Sequence, residues 1–439
     1  MRVFFIGAHL PLAGHSVRAP TVVISEALLA FRELGHEVVF QPLLSHDAEE
    51  GFEAEGERAL GWARENGVEL LPALYAQPDA VGSTPRLLLR QAFSSDPEVF
   101  YPSYALRHEL ATRVESSGAD VCFHLWSSAA FGACAEVATP VFAYAGNPDH
   151  YSMAARLKHP ALFAVPQKTL RNRLKLMLWR RAYRRFEDVV VRLALRSTWI
   201  GCASAPNADY YTAKGHPRAF YLQNMWPELA EGRRGVAEPT GNLIAGNLGG
   251  QYATGNTFGG WLLATEVLPA LDRLLGDDYE VRLYGAGRFS EPVGRALERP
   301  HVENRGFVDD IDAELQAAKV FLLCNNGNPD FVVGHTRILH AWSLGSCLVA
   351  HVNMAKAMPE IVHGENALLG STGEEIAEQV AAACRDEALR RRIVAGGRRT
   401  WEREFRPEVV VQRIVRRIES DLRLGSASPA AGRPTPAPR

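Results

Sequence analysis

The chain has 439 residues, 47% of them hydrophobic, and its formal net charge is −2 at pH 7. At ~100–200 residues per domain, this length predicts two or three domains. The near-neutral net charge gives no indication of a nucleic-acid partner. The sequence contains no run of 18 or more apolar residues, so no membrane-spanning helix is predicted. The six cysteines are scattered without a C-x-x-C pair, which is typical of buried free thiols in a cytosolic protein.

The chain begins with a βαβ pattern. Residues Arg2–Ala8 form an apolar run that predicts a buried strand. A signal peptide is disfavoured, because the apolar part is short and contains His9 and Pro11. A helical pattern over Thr21–Leu34 and a second apolar run at Glu37–Phe40 complete the unit.

Polar residues follow two further predicted strands. His124 lies near the end of the run Asp120–Trp126, and Asn147 follows the run Pro140–Gly146. Ligands of open α/β sheets bind beyond the carboxyl ends of strands, so both residues are candidates for a site. A single histidine at such a position also commonly has a structural role, and both interpretations stay open for His124.

A basic amphipathic stretch covers residues 168–196. Eight lysines or arginines between residues 168 and 185 alternate with Leu170, Leu174, Leu178 and Trp179. Such a helix can lie on an anionic membrane surface. The alternative is a solvated helix whose apolar stripe packs on its own domain.

The second half of the chain opens with a strand and a glycine-rich loop. A linker over Glu228–Gly241 is rich in Glu, Gly, Arg and Pro, as a domain boundary is. The run Asn242–Gly246 then leads into Asn247, Gly249 and Gly250, and a helix is predicted from about Phe258. Small residues let a phosphate approach backbone N–H groups. The loop lacks the lysine of a Walker motif, which excludes a P-loop ATPase.

The stretch Val333–Leu369 carries most of the functional information. Gly334-His335-Thr336 predicts a helix start and Gly345 its end, followed by a buried strand over Cys347–Ala350. A turn into another helix is predicted at Met358–Gly364. A helix start is a site for anions, and Arg337 in its first turn can add a bidentate cation. The alternative is an ordinary core helix with a solvated arginine.

This order of motifs resembles the family-4 type of retaining GT-B glycosyltransferases. Thr336–Gly345 and Pro359–Val362 follow the donor-half pattern T-K-x-L-E-A-M-A-x-G and P-E-I-V, and Leu34–Val38 follows R-G-H-E-V. The resemblance implies an α/β protein of GT-B architecture, with two doubly wound Rossmann-like domains that face each other across a cleft. It implies an acceptor-side domain over 1–230, a donor domain over 241–405 and a crossover helix over 406–423. The Pro- and Ala-rich composition of residues 424–439 predicts a disordered tail.

The resemblance also implies the chemistry. We expect a hexosyltransferase that moves a sugar from a nucleotide-diphosphate donor, with retention, to a glycan, lipid-linked or small-molecule acceptor. No cofactor or catalytic metal is expected, and Asp310-Ile-Asp312 is interpreted as a helix N-cap rather than a metal-binding D-x-D motif. The expected location is the cytoplasm, with association at the cytoplasmic face of a membrane.

The resemblance assigns roles to residues at matching positions. It places His124, Asp330 and Arg337 in the catalytic group. The acceptor-side candidates are His9, Gly14, His15 and Asn147. The donor-binding candidates are Gly246, Asn247, Gly249, Gly250, Gly285, Gly287, Phe307, Val308, Gly334, His335, Thr336, His340 and Glu360.

Two departures from the family pattern concern charged residues. The family's glutamate pair falls on His340 and near Val332, with Asp330 as the nearest carboxylate. Gly255 and Asn256 stand where a lysine for the diphosphate is usual, so Arg337, His335 or Arg288 would compensate. Two alternatives therefore stay open: a sugar-nucleotide epimerase on the same fold, and a catalytically degenerate GT-B protein that acts as a binding partner.

Overall fold

The computed structural model describes residues 1–12, 19–45, 52–76, 84–163, 169–228, 241–247 and 253–426. Four predicted site residues, Gly14, His15, Gly249 and Gly250, lie outside these ranges, as does most of the predicted tail. Among the described helices, none is both long enough and apolar enough to cross a membrane. All six cysteines are buried and free, which confirms the prediction of buried thiols.

The first half of the chain builds a parallel sheet with the strand order β3-β2-β1-β5-β6-β7-β8, and β4 pairs with β2. Strands β5 and β6 are buried along their whole length and apolar except for His124 and the Tyr144 hydroxyl group, which is typical of strands covered by helices on both faces. The strands are β1 (Arg2–Gly7), β2 (Glu37–Ser45), β3 (Glu69–Leu70), β4 (Leu74–Ala76), β5 (Val121–Leu125), β6 (Val141–Ala145), β7 (Trp199–Cys202) and β8 (Ala219–Tyr221).

Helices cover both faces of this sheet and supply much of its apolar core. The helices are α1 (Ala19–Glu33), α2 (Phe52–Glu65), α3 (Pro85–Phe93), α4 (Pro97–Phe100), α5 (Arg107–Ser116), α6 (Ser128–Ala133), α7 (His150–Lys158), α8 (Leu170–Ala194) and α9 (Ala205–Ala213).

The second half repeats the architecture with a parallel sheet in the order β11-β10-β9-β12-β13-β14. Its strands are β9 (Leu243–Asn247), β10 (Glu280–Tyr284), β11 (Val302–Gly306), β12 (Val320–Leu323), β13 (Leu348–His351) and β14 (Leu368–Gly370). Its helices are α10 (Thr254–Leu262), α11 (Leu268–Leu275), α12 (Glu291–Ala296), α13 (Ile311–Ala317), α14 (Thr336–Leu344), α15 (Asn353–Ala357), α16 (Gly373–Arg385), α17 (Glu387–Glu404) and α18 (Pro407–Ser426).

Both sheets are doubly wound, which confirms the predicted fold class. The strand order reverses between β1 and β5 in the first sheet and between β9 and β12 in the second. Crevices for ligands form at such switch points, beyond the carboxyl ends of the strands. The fold therefore places two candidate crevices, one in each domain.

One local prediction was wrong and another was displaced. The turn Met358–Gly364 does not enter a helix; α15 precedes it and β14 follows it. The Asn366 side chain accepts from Val362 N at 2.8 Å and donates to Glu360 O at 2.8 Å, so it satisfies backbone groups that a helix would otherwise pair. The helix predicted from Phe258 begins earlier, at Thr254.

The last helix returns to the first domain. Residues Val410, Ile414 and Ile418 of α18 are buried in the first-domain core. Trp199 of β7 donates its indole N–H to Asp421 Oδ2 at 2.7 Å. The chain thus ties the two domains together through α18 as well as through the linker.

Glu26 on α1 makes the packing of α18 sensitive to pH. Burial, followed by the charges of Glu33 and Glu408, raises its pKa to about 7. Because the pKa in the folded protein lies above the ordinary glutamate value of 4.5, the free energy of unfolding falls as pH rises from about 4.5 through about 7. At pH 8 we expect Glu26→Gln to be more stable than wild type by on the order of 2 kcal/mol and to unfold at a higher temperature. At pH 5 we expect the two proteins to unfold at similar temperatures. Thermal unfolding at both pH values checks this, and an equal effect at both would contradict it.

Candidate active site

The start of α14 lies where the two domains meet. A Cβ atom added at Gly334 would come within 2.1 Å of the carbonyl oxygen of Ala203, which follows strand β7 of the first domain. Only glycine therefore allows this close approach. His335 is the N-cap residue and makes no capping hydrogen bond through its side chain. The first N–H groups of a helix have no intrahelical partner, so the positive end of α14 is directed at the domain junction.

Arg337 extends from this helix start into a buried polar cluster. Its Nη1 donates to Asn256 Oδ1 at 2.9 Å, and the same oxygen accepts from Asn325 Nδ2 at 2.6 Å. Burial lowers the pKa of Arg337 to about 10, so desolvation opposes its charge while the cation persists at neutral pH. Asn256 stands where the family pattern has a lysine, and Arg337 thus brings positive charge to that position. Arg288 is exposed in the loop after β10.

Two buried oxygen atoms of the cluster have no hydrogen-bond partner among the described residues. They are Asn325 Oδ1 and Thr254 Oγ1. A buried polar atom without a partner is costly, and such atoms are uncommon outside functional sites. Asn325 and Thr254 flank the switch point of the second sheet, since one follows β12 and the other follows the loop after β9.

His335 positions the helix start without adding charge. Its Nε2 lies 3.2 Å from Asn326 Oδ1, which also accepts from the backbone N–H of Val333 at 3.3 Å. Burial and the charge of Arg337 lower its pKa to about 3. Neutral His335 therefore leaves Arg337 and the α14 dipole as the positive elements at this point.

Glu360, predicted to bind the donor, and Asp330, predicted in the catalytic group, are both held by residues of the first domain. Glu360 accepts from Tyr221 Oη at 2.8 Å and from Gln223 Nε2 at 2.9 Å. Asp330 forms ion pairs with Lys158 at 2.6 Å and His159 at 3.0 Å, which lower the pKa of its carboxyl group. Both carboxylates thus join the two domains, and their predicted roles toward a donor stay predictions.

His340, at the position of a family glutamate, also has an acidic neighbour. Its Nε2 lies 2.6 Å from Asp312 Oδ1, and its ring packs at 4.8 Å from that of Trp226. Asp310 caps α13 by accepting from Ala313 N at 3.1 Å, which confirms the helix-cap interpretation of Asp310-Ile-Asp312.

The glycine and apolar candidates occupy strand ends of the second domain. Gly285 and Gly287 have φ angles of 136° and 91°, so the turn after β10 requires glycine. Phe307 is 59% exposed after β11 and Val308 is partly buried, while Gly246 is buried within β9. Two candidates of this domain remain. Thr336 is the first residue of α14, and Asn247 is the last residue of β9.

The first-domain candidates lie near the carboxyl ends of three neighbouring strands, β1, β5 and β6. His124 is 1% exposed at the end of β5, where burial lowers its pKa to about 3, and both of its ring nitrogens lack partners within the described ranges. Asn147 follows β6 and accepts from Asn207 Nδ2 at 3.0 Å. His124 and Asn147 line one cavity of about 280 Å³. His9 lies in the segment after β1 and is partly buried.

Sequence reasoning missed the amide cluster and the residues around His124. Asn325 and Asn326 follow the buried strand β12 after one intervening residue, at the switch point, so the strand-end rule applied to every strand would have identified them. Trp126 and Asp149 follow β5 and β6 in the same way. Lys158 and His159 carry no such signal, because only the packing of α7 on the second domain brings them to Asp330.

Two doubly wound domains that meet at the start of α14 are the architecture of the GT-B class of proteins. Residues 250–386 match the sequence profile of the family described as Glycosyl transferases group 1. The chain therefore has the GT-B fold, and the family match covers part of its second domain. Comparison with curated protein sequences gives no significant match.

Solved structures agree on the fold. HepE of Anabaena, in complex with UDP and glucose, matches with a TM-score of 0.59 and 15% identity over 95% of this chain and 99% of its own. A glycosyltransferase from Rickettsia africae matches with a TM-score of 0.55 and 10% identity, over 96% of this chain and 98% of its own. TarM of S. aureus, as a variant in complex with fondaparinux, alpha-GlcNAc-glycerol and UDP, matches with a TM-score of 0.59 and 7% identity over 94% and 99%.

Proposed function

We propose that the chain transfers a hexosyl group from a nucleoside-diphosphate sugar to a glycan, lipid-linked or small-molecule acceptor, with retention at the anomeric carbon. The observation that supports this most is the arrangement at α14. Its N-terminal end, Arg337 and the buried Asn256–Asn325 pair converge where the second domain meets the first.

This arrangement suits a leaving diphosphate. Negative charge develops on the diphosphate as the glycosidic bond breaks, and fixed dipoles and cations at that point stabilise the transition state. A bidentate arginine can also orient a phosphate group. In the proposed mechanism Arg337 and the α14 N–H groups hold the diphosphate, and the departing diphosphate helps to remove the proton from the acceptor hydroxyl on the same face.

Retention in this proposal does not depend on a protein nucleophile. Glu360 and Asp330 are both engaged in contacts between the domains, at 2.8 Å to Tyr221 and 2.6 Å to Lys158 respectively. The protein then contributes positioning and charge stabilisation rather than covalent chemistry. Catalysis without a metal cofactor is part of the same proposal, with Arg337 as the source of positive charge.

UDP-glucose is the first donor to test, because HepE and TarM are both described in complex with UDP. Purified protein would be incubated with UDP-glucose and a panel of glycosides, with and without EDTA, and the product analysed by NMR. The proposal expects an α-linked product from this α-linked donor, formed equally in EDTA. A β-linked product would overturn retention, and loss of activity in EDTA would overturn metal independence. UDP binding without any transfer across donors and acceptors would favour the non-catalytic alternative.

We also propose that the chain associates with an anionic membrane through α8 and the neighbouring helix α3. The second half of α8 is buried in its own domain at Phe186, Val190 and Leu193, as the alternative interpretation predicted. The first half differs, because large apolar side chains there are exposed. They are Leu170 at 74%, Leu174 at 50% and Met177 at 59%, with Leu89 at 52% and Phe93 at 63% on α3.

Positive charge surrounds these apolar side chains. Arg86 and Arg90 on α3 are exposed, and so are Arg171, Arg173 and Lys175 on α8. Exposed apolar side chains together with basic residues are the combination that binds an anionic lipid surface. A cytoplasmic location is part of this proposal, since buried free thiols are typical of a reducing compartment.

Leu174→Glu combined with Met177→Glu is expected to abolish binding to vesicles of phosphatidylcholine with one third phosphatidylglycerol. The substitutions remove apolar contacts and add negative charge at the surface. Co-sedimentation measures the bound fraction, and wild-type binding is expected to weaken with salt. Leu60→Glu on α2, where Leu60 is 49% exposed, is the matched control and is expected to bind like wild type. Equal binding by the double variant would contradict the proposed surface.

A further inference from the structure

One segment of the first domain, residues 150–163, lies against the second domain. This segment, named the strap here, consists of α7 and the residues that follow it up to position 163. Met153 on α7 is buried in the first-domain core. Ala155 on the same helix is buried in a different cluster, together with Phe258 and Val333 of the second domain. The strap therefore packs into both domains at once.

Phe258 on α10 is the main apolar contact of the strap. The ring of His159 lies edge-on to the ring of Phe258 with centroids 5.1 Å apart, and the ring of Phe163 does so at 5.5 Å. Edge-to-face ring pairs at such separations are favourable. Ser290 donates its hydroxyl group to the carbonyl oxygen of Leu162 at 2.8 Å. These contacts hold the strap beside α10 without the use of charge.

Charged residues join the end of α7 to the loop that precedes α14. Lys158 Nζ lies 2.6 Å from Asp330 Oδ1, and His159 Nε2 lies 3.0 Å from Asp330 Oδ2. The hydrogen bond from Lys158, followed by that from His159, lowers the pKa of the Asp330 carboxyl group, so this group is ionised at neutral pH. Both carboxylate oxygens of Asp330 are thus engaged by the first domain. These three residues are named the latch.

The loop that carries Asp330 leads directly to the start of α14. Within the loop, Asn328 Oδ1 accepts from the backbone N–H of Asp330 at 2.9 Å. Asn326 holds the part nearest to the helix, because its Oδ1 accepts from Val333 N at 3.3 Å and lies 3.2 Å from His335 Nε2. The second domain therefore fixes the loop through Asn326, and the first domain fixes it through the latch.

The latch is weak compared with the rest of the contact between the domains. The side chains of Lys158 and Asp330 are 62% and 30% exposed. An ion pair at such exposure changes an equilibrium by at most about five-fold, and by less at high salt. The apolar contacts around Phe258 do not depend on it, so a broken latch loosens the loop without separating the domains. The latch is thus suited to adjust the start of α14 rather than to hold the protein together.

We infer that Lys158, His159 and Asp330 form an ionic latch through which the first domain positions the start of α14. Asp330 then acts as a positioning residue and does not contact the donor. The effect of the latch on transfer rests on the proposed function, because the start of α14 is the proposed diphosphate site. Its effect on the loop does not depend on that function and can be measured without a donor.

Hydrogen exchange of the full chain, followed by mass spectrometry, tests the latch on peptides that cover residues 326–337. Lys158→Ala and Asp330→Asn are each expected to speed exchange in these peptides by about three- to five-fold, because the loop loses one anchor. Lys158→Glu combined with Asp330→Lys exchanges the two charges and is expected to return the rate to within about two-fold of wild type. Lys214→Ala removes a similar pair, at 2.9 Å from Glu187, inside the first domain. This matched control is expected to leave the peptides unchanged.

Transfer kinetics separate positioning from contact with the reacting atoms. Lys158→Ala and Asp330→Asn are expected to lower kcat equally, by at most about five-fold, and the exchanged pair is expected to restore it. A group that acts on the reacting atoms costs about 10²-fold or more when it is removed.

Two results would overturn the inference. One is unchanged exchange over residues 326–337 in both single variants. The other is a loss of kcat of about 10²-fold in Asp330→Asn but not in Lys158→Ala, without recovery in the exchanged pair, which would assign Asp330 to the reacting atoms. Absence of transfer by wild type would instead count against the proposed function and leave the exchange result standing.

Discussion

Arg337→Ala is expected to reduce transfer from a nucleoside-diphosphate sugar by about 10²–10³-fold, the range found when one group that stabilises transition-state charge is removed. The guanidinium brings positive charge to the polar cluster at the start of α14, where it donates to Asn256 at 2.9 Å. The same substitution is expected to remove most of the thermal stabilisation by UDP, which is ~2.7 kcal/mol for a ligand at about 100 times its dissociation constant. Steady-state kinetics and thermal unfolding with and without UDP measure both effects.

Two further variants separate charge from geometry at this position. Arg337→Lys keeps the charge but loses the planar fork that binds a phosphate with two hydrogen bonds, so activity between wild type and Arg337→Ala is expected. Arg288→Ala, at an exposed arginine in the loop after β10, controls for loss of a cation in the same domain and is expected to have little effect. An unchanged UDP response in Arg337→Ala would show that the diphosphate binds elsewhere.

Gly334→Ala is expected to reduce transfer about 10²-fold while nucleotide binding persists, because displacement of groups by about 1 Å costs roughly that factor. The added Cβ would lie 2.1 Å from the carbonyl oxygen of Ala203 and 3.2 Å from Asn224 Nδ2. The first of these atoms belongs to the backbone, so the two domains must move apart. Solution scattering is expected to show a larger radius of gyration, and the UDP-induced thermal shift is expected to stay close to that of wild type.

Gly294→Ala provides the matched control for this substitution. Gly294 lies in α12 of the same domain, and a Cβ there would meet no atom within 4 Å. It is expected to leave both transfer and the radius of gyration unchanged. Wild-type activity in Gly334→Ala would mean that the junction tolerates displacement, and it would remove the argument that contact between Ala203 and Gly334 aligns donor and acceptor.

The sequence predicts the elements near the site well because their signals are local. The helix start before Thr336 and its end at Gly345 follow from residues within one turn, and Gly345 has the expected left-handed conformation with φ of 77°. The turn at Met358–Gly364 was predicted wrongly for a related reason. The residues Met358–Gly364 by themselves resemble a helix start. In the structure their backbone groups are instead paired by the side chain of Asn366, which lies beyond the segment.

The surroundings of each site residue depend on contacts between distant parts of the chain. Arg337 meets Asn256, which is 81 positions earlier, and Asp330 meets Lys158 across the domain junction, 172 positions away. Asp330 was predicted from its proximity to a family glutamate in the sequence. Its pairing with Lys158 and His159 gives it a second role as a contact between the domains.

The amino-acid order by itself determines the alternation of strands and helices and the start and end of α14, since hydrophobic period and capping residues act within a few positions. Only the tertiary structure decides which side chains surround that helix start. The amide cluster, the contact of Gly334 with Ala203 and the cavity around His124 and Asn147 each join segments that are far apart in sequence. Burial, desolvation and unpaired polar atoms arise from those contacts, and they set the charge and hydrogen bonding that a site offers.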